Sequence, residues 1–470
     1  MKSTRGGSFA EHSVGDDMAS DPAASTITAP RAALPRVKAV VQTVHGDPAA
    51  GAVRWRKKAF DVASTLATSF LLVAITVVQA KLLADALGPA GRGEFAAAVS
   101  YTRLLTYIGL LGTNYVITRH VARSGLATAS ISRSAVRMGG LTGMCAMLVV
   151  IGLSLVAFPA DKQPLAWLSI VCAMTLPLEH VRLNLNAVDQ GSGRMGRFNA
   201  GRIVAAAALP ILLVFAWLTT SISVRLAVVL LIPATLLGLV FRLVWSDDYH
   251  LWRAGSPPVR TLLREGRPYA LSVVVTEVFN NLDVLLMLWL ASFTQQGLYA
   301  AALPAVRLLC VAPEALAVFA FNAGAKQTRP LGVGRLMVLA TGTLLVQVLA
   351  AVAYWTVLGF LIILVYRQPF ADAIVFANLL LPAMVFQGGT IIADGYMRGQ
   401  GQSKVGVMAR LVGALSMLVA AFVFYAPYHA LAVPLAASVG SGIAALWLFA
   451  AMIRQSLAQQ RSPAAMADSL

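Results

Sequence analysis

Long apolar runs separated by short polar connections make up most of the chain after residue 60. A helix needs roughly 20 apolar residues to cross the hydrocarbon core of a bilayer. Twelve runs are near or above that length: 60–85, 96–118, 134–158, 163–189, 199–219, 223–245, 268–292, 297–322, 335–365, 371–398, 404–427 and 429–455. The pattern therefore predicts an all-α polytopic membrane protein with about 12 transmembrane helices, which we call spans 1 to 12.

A duplication divides these spans into two halves. The run 93–105, GEFAAAVSYTRLL, returns 204 residues later as 297–309, GLYAAALPAVRLL. A second run, 190–196, returns 210 residues later as 400–406. Copies separated by six spans have the same orientation in the membrane, as in transporters that hold cargo between two parallel repeats. The sequence therefore predicts two parallel six-helix lobes around a central cavity.

The predicted lobes cover residues 60–245 and 268–455, and residues 246–267 form a cytoplasmic linker between them. Residues 1–59 are rich in Ala, Ser, Pro and Gly. Such a segment cannot bury enough apolar surface to offset the entropy lost on ordering. We expect a disordered basic cytoplasmic tail at 1–59 and a second cytoplasmic tail at 456–470.

Composition and charge agree with this topology. The chain of 470 residues is 58% hydrophobic and only 12% charged, which excludes an ordinary soluble domain. Its net charge of +17 is concentrated in the connections after the even-numbered spans. The opposite side holds only Lys81, Arg92, Lys162, Arg225 and Arg367. Positive residues mark the cytoplasmic side, so both termini are predicted to be cytoplasmic, and the charge is not evidence for a nucleic-acid partner.

Two arginines in the repeated run are the leading candidates for binding chemistry. Arg103 and Arg307 each lie inside an apolar span, where an ionised side chain costs about 2.5 to 3.5 kcal/mol. A guanidinium recognises phosphate oxygens through several rigid donors, so the pair is predicted to face one cavity and bind a diphosphate. The alternative is that each side chain reaches toward the interface, or pairs with a helix-end carbonyl or a buried acid.

Span 7 carries a second group of candidates, Glu277, Asn280 and Asp283. Their spacing of three residues places them near one helical face, and acids inside a membrane are functional candidates. They are predicted to couple transport to H⁺, or to Na⁺ held by carboxylate and amide oxygens. A structural salt bridge to Arg307 or Arg103 is the alternative.

Two further charged positions lie near the predicted cytoplasmic mouth. Glu179 and Arg182 in span 4 are three residues apart and can pair on one helical face. We interpret them as an internal ion pair, with contact to cargo as the alternative, and His180 between them as a packed histidine. Asp394, near the end of span 10, is expected to be solvated or to cap the helix.

No motif for covalent chemistry is evident. The sequence has no GxxxxGK[ST] phosphate loop and no HExxH zinc motif. The three cysteines lie inside apolar runs, which excludes a disulfide framework and a metal-ligand spacing. The chain is therefore predicted not to be an enzyme and to need no metal or other cofactor.

Several short motifs resemble those of the bacterial polysaccharide flippases, a family of the multidrug/oligosaccharidyl-lipid/polysaccharide exporter superfamily. The clearest is LGPAGRGEF at residues 87–95, which is similar to the LGPxGRGEY-type turn of that family. The other matches are the Gln190-Gly191 turn with Arg194, the segments 281–283 and 297–299, and the connection 399–406. The resemblance covers roughly residues 58–455.

This resemblance implies outward flipping of an undecaprenyl-diphosphate-linked oligosaccharide by alternating access, in the bacterial inner (cytoplasmic) membrane. It implies O-antigen, capsule or exopolysaccharide biosynthesis as the pathway, and membrane lipids, a polymerase and glycosyltransferases as partners. The alternatives are a cation-coupled multidrug exporter of the same superfamily and a membrane glycan polymerase or ligase. The positive charges of Arg103 and Arg307 inside their spans disfavour the multidrug exporter. Short external loops disfavour the polymerase or ligase.

Overall fold

The protein is described here by a computed structural model, which covers residues 48–124, 128–245, 259–326 and 333–460. Residues 1–47 of the predicted N-terminal tail, 246–258 of the predicted linker and 461–470 of the predicted C-terminal tail lie outside the described residues. The compact unit Ala59–Leu470 contains the membrane-spanning helices.

The number of spans follows from the lengths of the apolar helices. In the described part, nine helical segments are long and apolar enough to cross a bilayer, and the bent pair Ala160–Ala173 and Leu176–Gly191 makes ten. Two of the nine, Ala63–Ala122 and Ser403–Ala458, have 60 and 56 residues. A straight helix of that length would extend about 90 Å, three times the hydrocarbon core, so each holds two spans. The prediction of an all-α fold with twelve spans is therefore confirmed.

Both long segments are broken where the backbone leaves the helical region. Gly88, with φ 64° and ψ −177°, separates span 1 from span 2, and Pro89 follows it. Glycine adopts this conformation without steric cost, and proline is favoured at the first position of a helix because it has no N–H to satisfy. His429, with φ 48°, separates span 11 from span 12.

The twelve spans are each built from one helix or from two helices that follow each other. Spans 1 and 2 share Pro48–Ile108, and span 2 continues as Thr113–Ser124. The helices of spans 3 to 6 are Thr128–Val156, then Ala166–Ala173 with Thr175–Gly191, then Met195–Thr219, then Val224–Val229 with Leu231–Val244. The helices of spans 7 to 12 are Val259–Leu290, Phe293–Arg307 with Val311–Lys326, Val333–Tyr366, Ala373–Gly399, Ser403–Tyr428 and Ala432–Gln460.

Three helices extend into segments that the sequence assigned to the tails or to the linker. The first helix begins at Pro48, inside the predicted N-terminal tail 1–59. Span 7 begins at Val259, so residues 259–267, which the sequence assigned to the linker, are helical. The last helix continues to Gln460, into the segment expected to be a tail. Arginines at positions 260, 264 and 267 interrupt the apolar pattern there, which is why an apolar run alone misses the first turns of span 7.

The two halves have separate hydrophobic cores, and spans 1 and 7 each contribute to the core of the opposite half. Ala80 and Ala84 of span 1 are buried in the main cluster of the C-terminal half. Leu288 of span 7 is buried among residues of spans 2, 3 and 4. Because these contacts exchange side chains between the halves, they join the two lobes where spans 1 and 7 end.

The two repeated glycines make the closest contact between the halves. A side chain on Gly93 would collide with the backbone carbonyl of Phe293, and a side chain on Gly297 would collide with the carbonyl of Pro89. Phe293 lies four residues before Gly297, and Pro89 lies four residues before Gly93. Each helix therefore makes the same contact with the other, as the duplication predicts. Spans 2 and 8 therefore cross with their backbones touching. We call this end of the bundle the crossing end.

Two lysines of the N-terminal half bind backbone carbonyls of the C-terminal half at the same end. Lys162, which is 1% exposed, donates from Nζ to the carbonyl oxygens of Leu288 and Ala291, the latter at 2.6 Å. Lys81 donates to the carbonyl oxygen of Val365 at 2.8 Å. These carbonyls lie at the C-terminal ends of spans 7 and 9, where the helix dipole favours a cation.

Replacing Gly93 by alanine is expected to destabilise the protein. The added methyl group has no space beside the Phe293 carbonyl, and forced overpacking typically costs about 1 to 3 kcal/mol. The melting temperature of the purified protein in detergent should fall. Gly152→Ala is the matched control, because a side chain there meets nothing within 4 Å and alanine favours a helix. An equal melting temperature for Gly93→Ala and wild type would contradict the contact.

Candidate functional site

Two cavities meet inside the helix bundle, and Arg103 and Arg307 line both of them. The first, of about 330 Å³, is called the polar cavity. The second, of about 470 Å³ and mostly apolar, is called the axial cavity. The polar residues that line the polar cavity are Arg103, Tyr107, Glu277, Asn280, Asn281, Arg307, Glu314, Gln387, Thr390 and Arg410.

The axial cavity lies between spans 2 and 8, on the axis of the duplication. Six pairs of its lining residues in spans 2 and 8 are separated by the same 204 positions as the repeated runs. They are Arg92 and Gln296, Phe95 and Tyr299, Ala96 and Ala300, Val99 and Leu303, Ser100 and Pro304, and Arg103 and Arg307. In each copy these positions follow a helical period, so equivalent faces of the two spans line one cavity. The spans touch at the glycines and enclose the cavity beyond them.

Helix breaks follow both arginines. Arg307 is the last residue of the helix Phe293–Arg307, before a 3₁₀ turn at Leu308–Cys310. Arg103 lies five residues before the end of its helix at Ile108, and the next helix of span 2 begins at Thr113. An interrupted helix leaves C-terminal carbonyls without their regular partners, and its dipole favours a cation in the last turn. Arg307 occupies this last turn, and Arg103 lies just before the last turn of its helix, so both charges at membrane depth are close to a helix break.

The contacts of the two arginines differ. Arg307 donates from Nη2 to the backbone carbonyl of Asn280 at 3.0 Å, across to span 7. In the part of the chain that the structure covers, no ion pair joins either arginine to Glu277 or Asp283. Because both guanidinium groups line the same two cavities, two positive charges face a shared space. An anion between them would offset the repulsion of these charges.

The span 7 candidates are divided between two environments. Glu277 and Asn280 line the polar cavity together with Asn281, whose Nδ2 lies 3.3 Å from Glu277 Oε2. Asp283 is 7% exposed and accepts a hydrogen bond from the hydroxyl of Tyr299 in span 8. The expectation that Asp283 shares their face is corrected here, because six residues rotate a helix by about 600°, which is about 120° away from Glu277. Asn281, which is four residues after Glu277, lies on the same helical face as Glu277.

The structure pairs Glu179 with Arg182, as their spacing suggested. Arg182 donates from Nε to Glu179 Oε2 at 2.9 Å and from Nη2 to the other carboxylate oxygen. Neither residue lines either of the two cavities. His180 is fully buried, and its Nδ1 lies 3.1 Å from the Thr142 hydroxyl, so it is a packed histidine.

Asp394 was expected to be solvated or to cap its helix, and this expectation is wrong. Its side chain is buried, with Arg398 at 2.6 Å and Arg410 at 2.7 Å from the same carboxylate oxygen. Arg410 comes from span 11 and also lines the polar cavity. The pair is formed because the end of span 10 packs against the start of span 11, a contact that apolar run lengths do not report.

Sequence reasoning missed several polar residues of this cavity, among them Glu314, Gln387, Thr390 and Arg410. Glu314 had a detectable signal, because it lies seven residues after Arg307 and therefore on the same helical face. Gln387 and Thr390 are likewise three residues apart on span 10. These isolated polar positions became a cluster only when spans 7, 8, 10 and 11 were brought together.

Comparisons with known proteins agree with this architecture. A sequence profile described as polysaccharide biosynthesis protein matches residues 61–320 of the chain. A search of curated proteins finds no match to the chain. Solved structures of the MOP superfamily have the same fold at low identity, so they show the fold alone.

Three of these structures cover nearly the whole spanning region. An inward-facing multidrug resistance MATE family transporter has a TM-score of 0.65 and 12% identity over 83% of this chain and 96% of its own. The lipid II flippase MurJ, in an inward closed conformation, has a TM-score of 0.65 and 12% identity over 85% and 91%. A MOP superfamily transporter from Pyrococcus furiosus Vc1 has a TM-score of 0.58 and 14% identity over 90% and 99%. The predicted two-lobe fold is confirmed.

The polar cavity should be accessible to water. In a variant with Cys145, Cys172 and Cys310 replaced by serine, Asn280→Cys should react with a charged methanethiosulfonate reagent in proteoliposomes, because Asn280 is exposed in this cavity. Val352→Cys is the control: Val352 is 58% exposed, and it lies in the most apolar span, where the surface faces lipid. Equal labelling of the two cysteines would contradict a water-filled cavity.

Proposed function

Because the chain belongs to the polysaccharide biosynthesis protein family, we propose that it flips undecaprenyl-diphosphate-linked oligosaccharide units from the cytoplasmic to the outer leaflet. The membrane is the bacterial inner membrane, and the pathway is O-antigen, capsule or exopolysaccharide biosynthesis. The observation that carries this proposal is the position of Arg103 and Arg307, which the duplication relates and which line both cavities.

In this proposal, the diphosphate of the cargo binds between the two arginines. Arg103 forms no ion pair with another described residue, and Arg307 uses one nitrogen on the Asn280 carbonyl and keeps its other donors. Charge-assisted hydrogen bonds from guanidinium to phosphate are short, directional and about twice as strong as neutral ones. The anion also removes the repulsion between the two cations, so cargo and arginines stabilise each other.

The glycan occupies the polar cavity, and the lipid tail remains in the bilayer. Asn280, Gln387 and Thr390 offer donors and acceptors suited to sugar hydroxyl groups. Glu277 and Glu314 add acceptor oxygens on the same walls. Such groups recognise hydroxyls without demanding one particular sugar.

The positive-inside pattern supports the orientation that this proposal needs. It predicts that both termini are cytoplasmic and that the crossing end is on the outer side, so that the glycines close the path to the outside. A cargo with about two negative charges leaving a negative-inside cell gains about 2.3 kcal/mol per charge for each 100 mV. Membrane potential thus favours export, and Glu277 with Asn280 is the proposed site of additional H⁺ or Na⁺ coupling. Asp283, bonded to Tyr299, is the second coupling candidate.

A cation-coupled multidrug exporter is the second candidate function. Glu277 and Glu314 favour it, since acids in a cavity attract cationic drugs. However, three arginines line the same cavity, and only Arg410 has a carboxylate partner among the described residues. The adjoining axial cavity is lined by the same two arginines and by no acid among its described lining residues, which supports an anionic cargo. In this proposal, separate partner proteins, a polymerase and glycosyltransferases, form the glycosidic bonds of the polysaccharide.

Replacing both Arg103 and Arg307 by alanine should abolish flipping. Hydrogen bonds to charged groups contribute about 1.5 to 3 kcal/mol each, so translocation should fall by about tenfold to a hundredfold per arginine. The measurement uses proteoliposomes loaded with labelled undecaprenyl-diphosphate oligosaccharide. Arg137→Ala is the control, because Arg137 is exposed and lines neither cavity. Wild-type translocation by the double variant would contradict the proposal.

Glu277→Gln separates ion coupling from voltage. The amide keeps the shape of the side chain but cannot exchange a proton or neutralise Na⁺. With the potential held constant, an imposed H⁺ or Na⁺ gradient should accelerate flipping by the wild type but not by the variant. An imposed potential should accelerate both. A gradient response retained by Glu277→Gln would exclude this residue as the coupling site.

A further inference from the structure

The closed end of the axial cavity contains polar groups that have no protein partner. Gln296 is 2% exposed, and neither its Oε1 nor its Nε2 has a hydrogen-bond partner among the described residues. The Nε of Arg92 is likewise buried without a partner. Buried polar groups in folded proteins nearly always have partners. Two such residues lining one cavity, next to Gly93 and Gly297, therefore indicate a ligand there.

The charge of the cavity identifies the class of that ligand. Three arginines, Arg92, Arg103 and Arg307, line the axial cavity, and no aspartate or glutamate is among its described lining residues. Arg92 offers guanidinium donors, and Gln296 adds two amide donors and one acceptor. This combination suits a phosphate group. The rest of the wall is largely apolar, as a phosphate attached to a hydrocarbon chain requires.

The geometry separates this site from the Arg103–Arg307 pair. Arg92 precedes Arg103 by 11 residues on one continuous helix, which is about 16 Å along its axis and within about 20° on the same face. Arg92 and Gln296 therefore lie nearer to the glycine crossing than Arg103 and Arg307 do. The axial cavity joins them.

We propose that Arg92 and Gln296 form a second phosphate-binding station, directly beneath the Gly93–Gly297 crossing, which receives the diphosphate after it leaves Arg103 and Arg307. This inference rests on the proposed function and extends it to the path of the cargo. The duplication places glutamine opposite Arg92, so this station has one cation where the first has two. Weaker binding here favours release, since a path must bind its cargo loosely enough to let it leave.

The test measures binding of inorganic pyrophosphate and of undecaprenyl diphosphate to the purified full chain by isothermal titration calorimetry. Arg103→Ala/Arg307→Ala should retain weak binding of both probes, because Arg92 and Gln296 remain. Adding Arg92→Gln should weaken the residual binding by about tenfold or more. Adding Arg225→Gln should leave it unchanged, because Arg225 stacks on Trp167 at 5.7 Å and lines neither cavity.

Translocation provides the second readout in the otherwise wild-type chain. Arg92→Gln and Gln296→Leu should each slow flipping about tenfold, whereas binding of undecaprenyl diphosphate at the first station changes less than twofold. Arg92→Lys should restore most of the rate, and thermal unfolding in detergent shows whether each variant is folded. Pyrophosphate binding without a lipid-diphosphate response would assign the site to a free anion and overturn the proposal.

The two proposals fail in different ways. If the Arg103/Arg307 double variant binds and flips like the wild type, the proposed function fails. If that double variant loses all anion binding, and Arg92→Gln and Gln296→Leu flip at the wild-type rate, only the second station fails. In that case the buried amide of Gln296 serves the packing of the crossing.

Discussion

Contact between two glycine backbones determines the geometry of the interior. Since neither Gly93 nor Gly297 has a side chain, spans 2 and 8 meet with the carbonyls of Phe293 and Pro89 against them. Larger residues would hold the helices apart from end to end. Because the helices touch here, the axial cavity is closed at one end, and equivalent faces of both spans line it down to Arg103 and Arg307. The size of the cavity and the pairing of its charges both depend on this contact.

Some cavity residues are identical in the two copies of the duplication, and others differ between them. Arg103 and Arg307 are identical, so near the axis they repel each other unless an anion lies between them. Elsewhere the copies have diverged: glutamine stands opposite Arg92, and the polar cavity draws most of its walls from spans 7, 8, 10 and 11. In the proposed function, the symmetric pair of arginines binds the anionic part of the cargo near the axis, while the C-terminal half provides most of the groups for its polar part.

Apolar run length and the internal duplication were sufficient to predict twelve spans and two lobes, because each span must be long and apolar enough to cross the bilayer by itself. They could not locate the start of span 7 at Val259, since its first turns carry arginines and pack through Leu262 and Leu263 against the N-terminal half. The Asp394–Arg410 pair could not be predicted from the sequence either, because it depends on how spans 10 and 11 pack. The duplicated arginines were detectable because both copies preserved them. Glu314, Gln387 and Thr390 were not, since single polar residues in apolar spans have many explanations.

The lysines at the crossing end have a consequence for how freely the sequence can vary. Lys81 and Lys162 hold the opposite half by backbone carbonyls of Val365, Leu288 and Ala291, and not by acidic side chains. Any residue at those three positions presents the same oxygen, so the C-terminal half can change its side chains there without a matching change in the N-terminal half. At these lysine–carbonyl contacts, halves from diverged relatives should thus remain interchangeable, so that chimeric proteins retain the contacts.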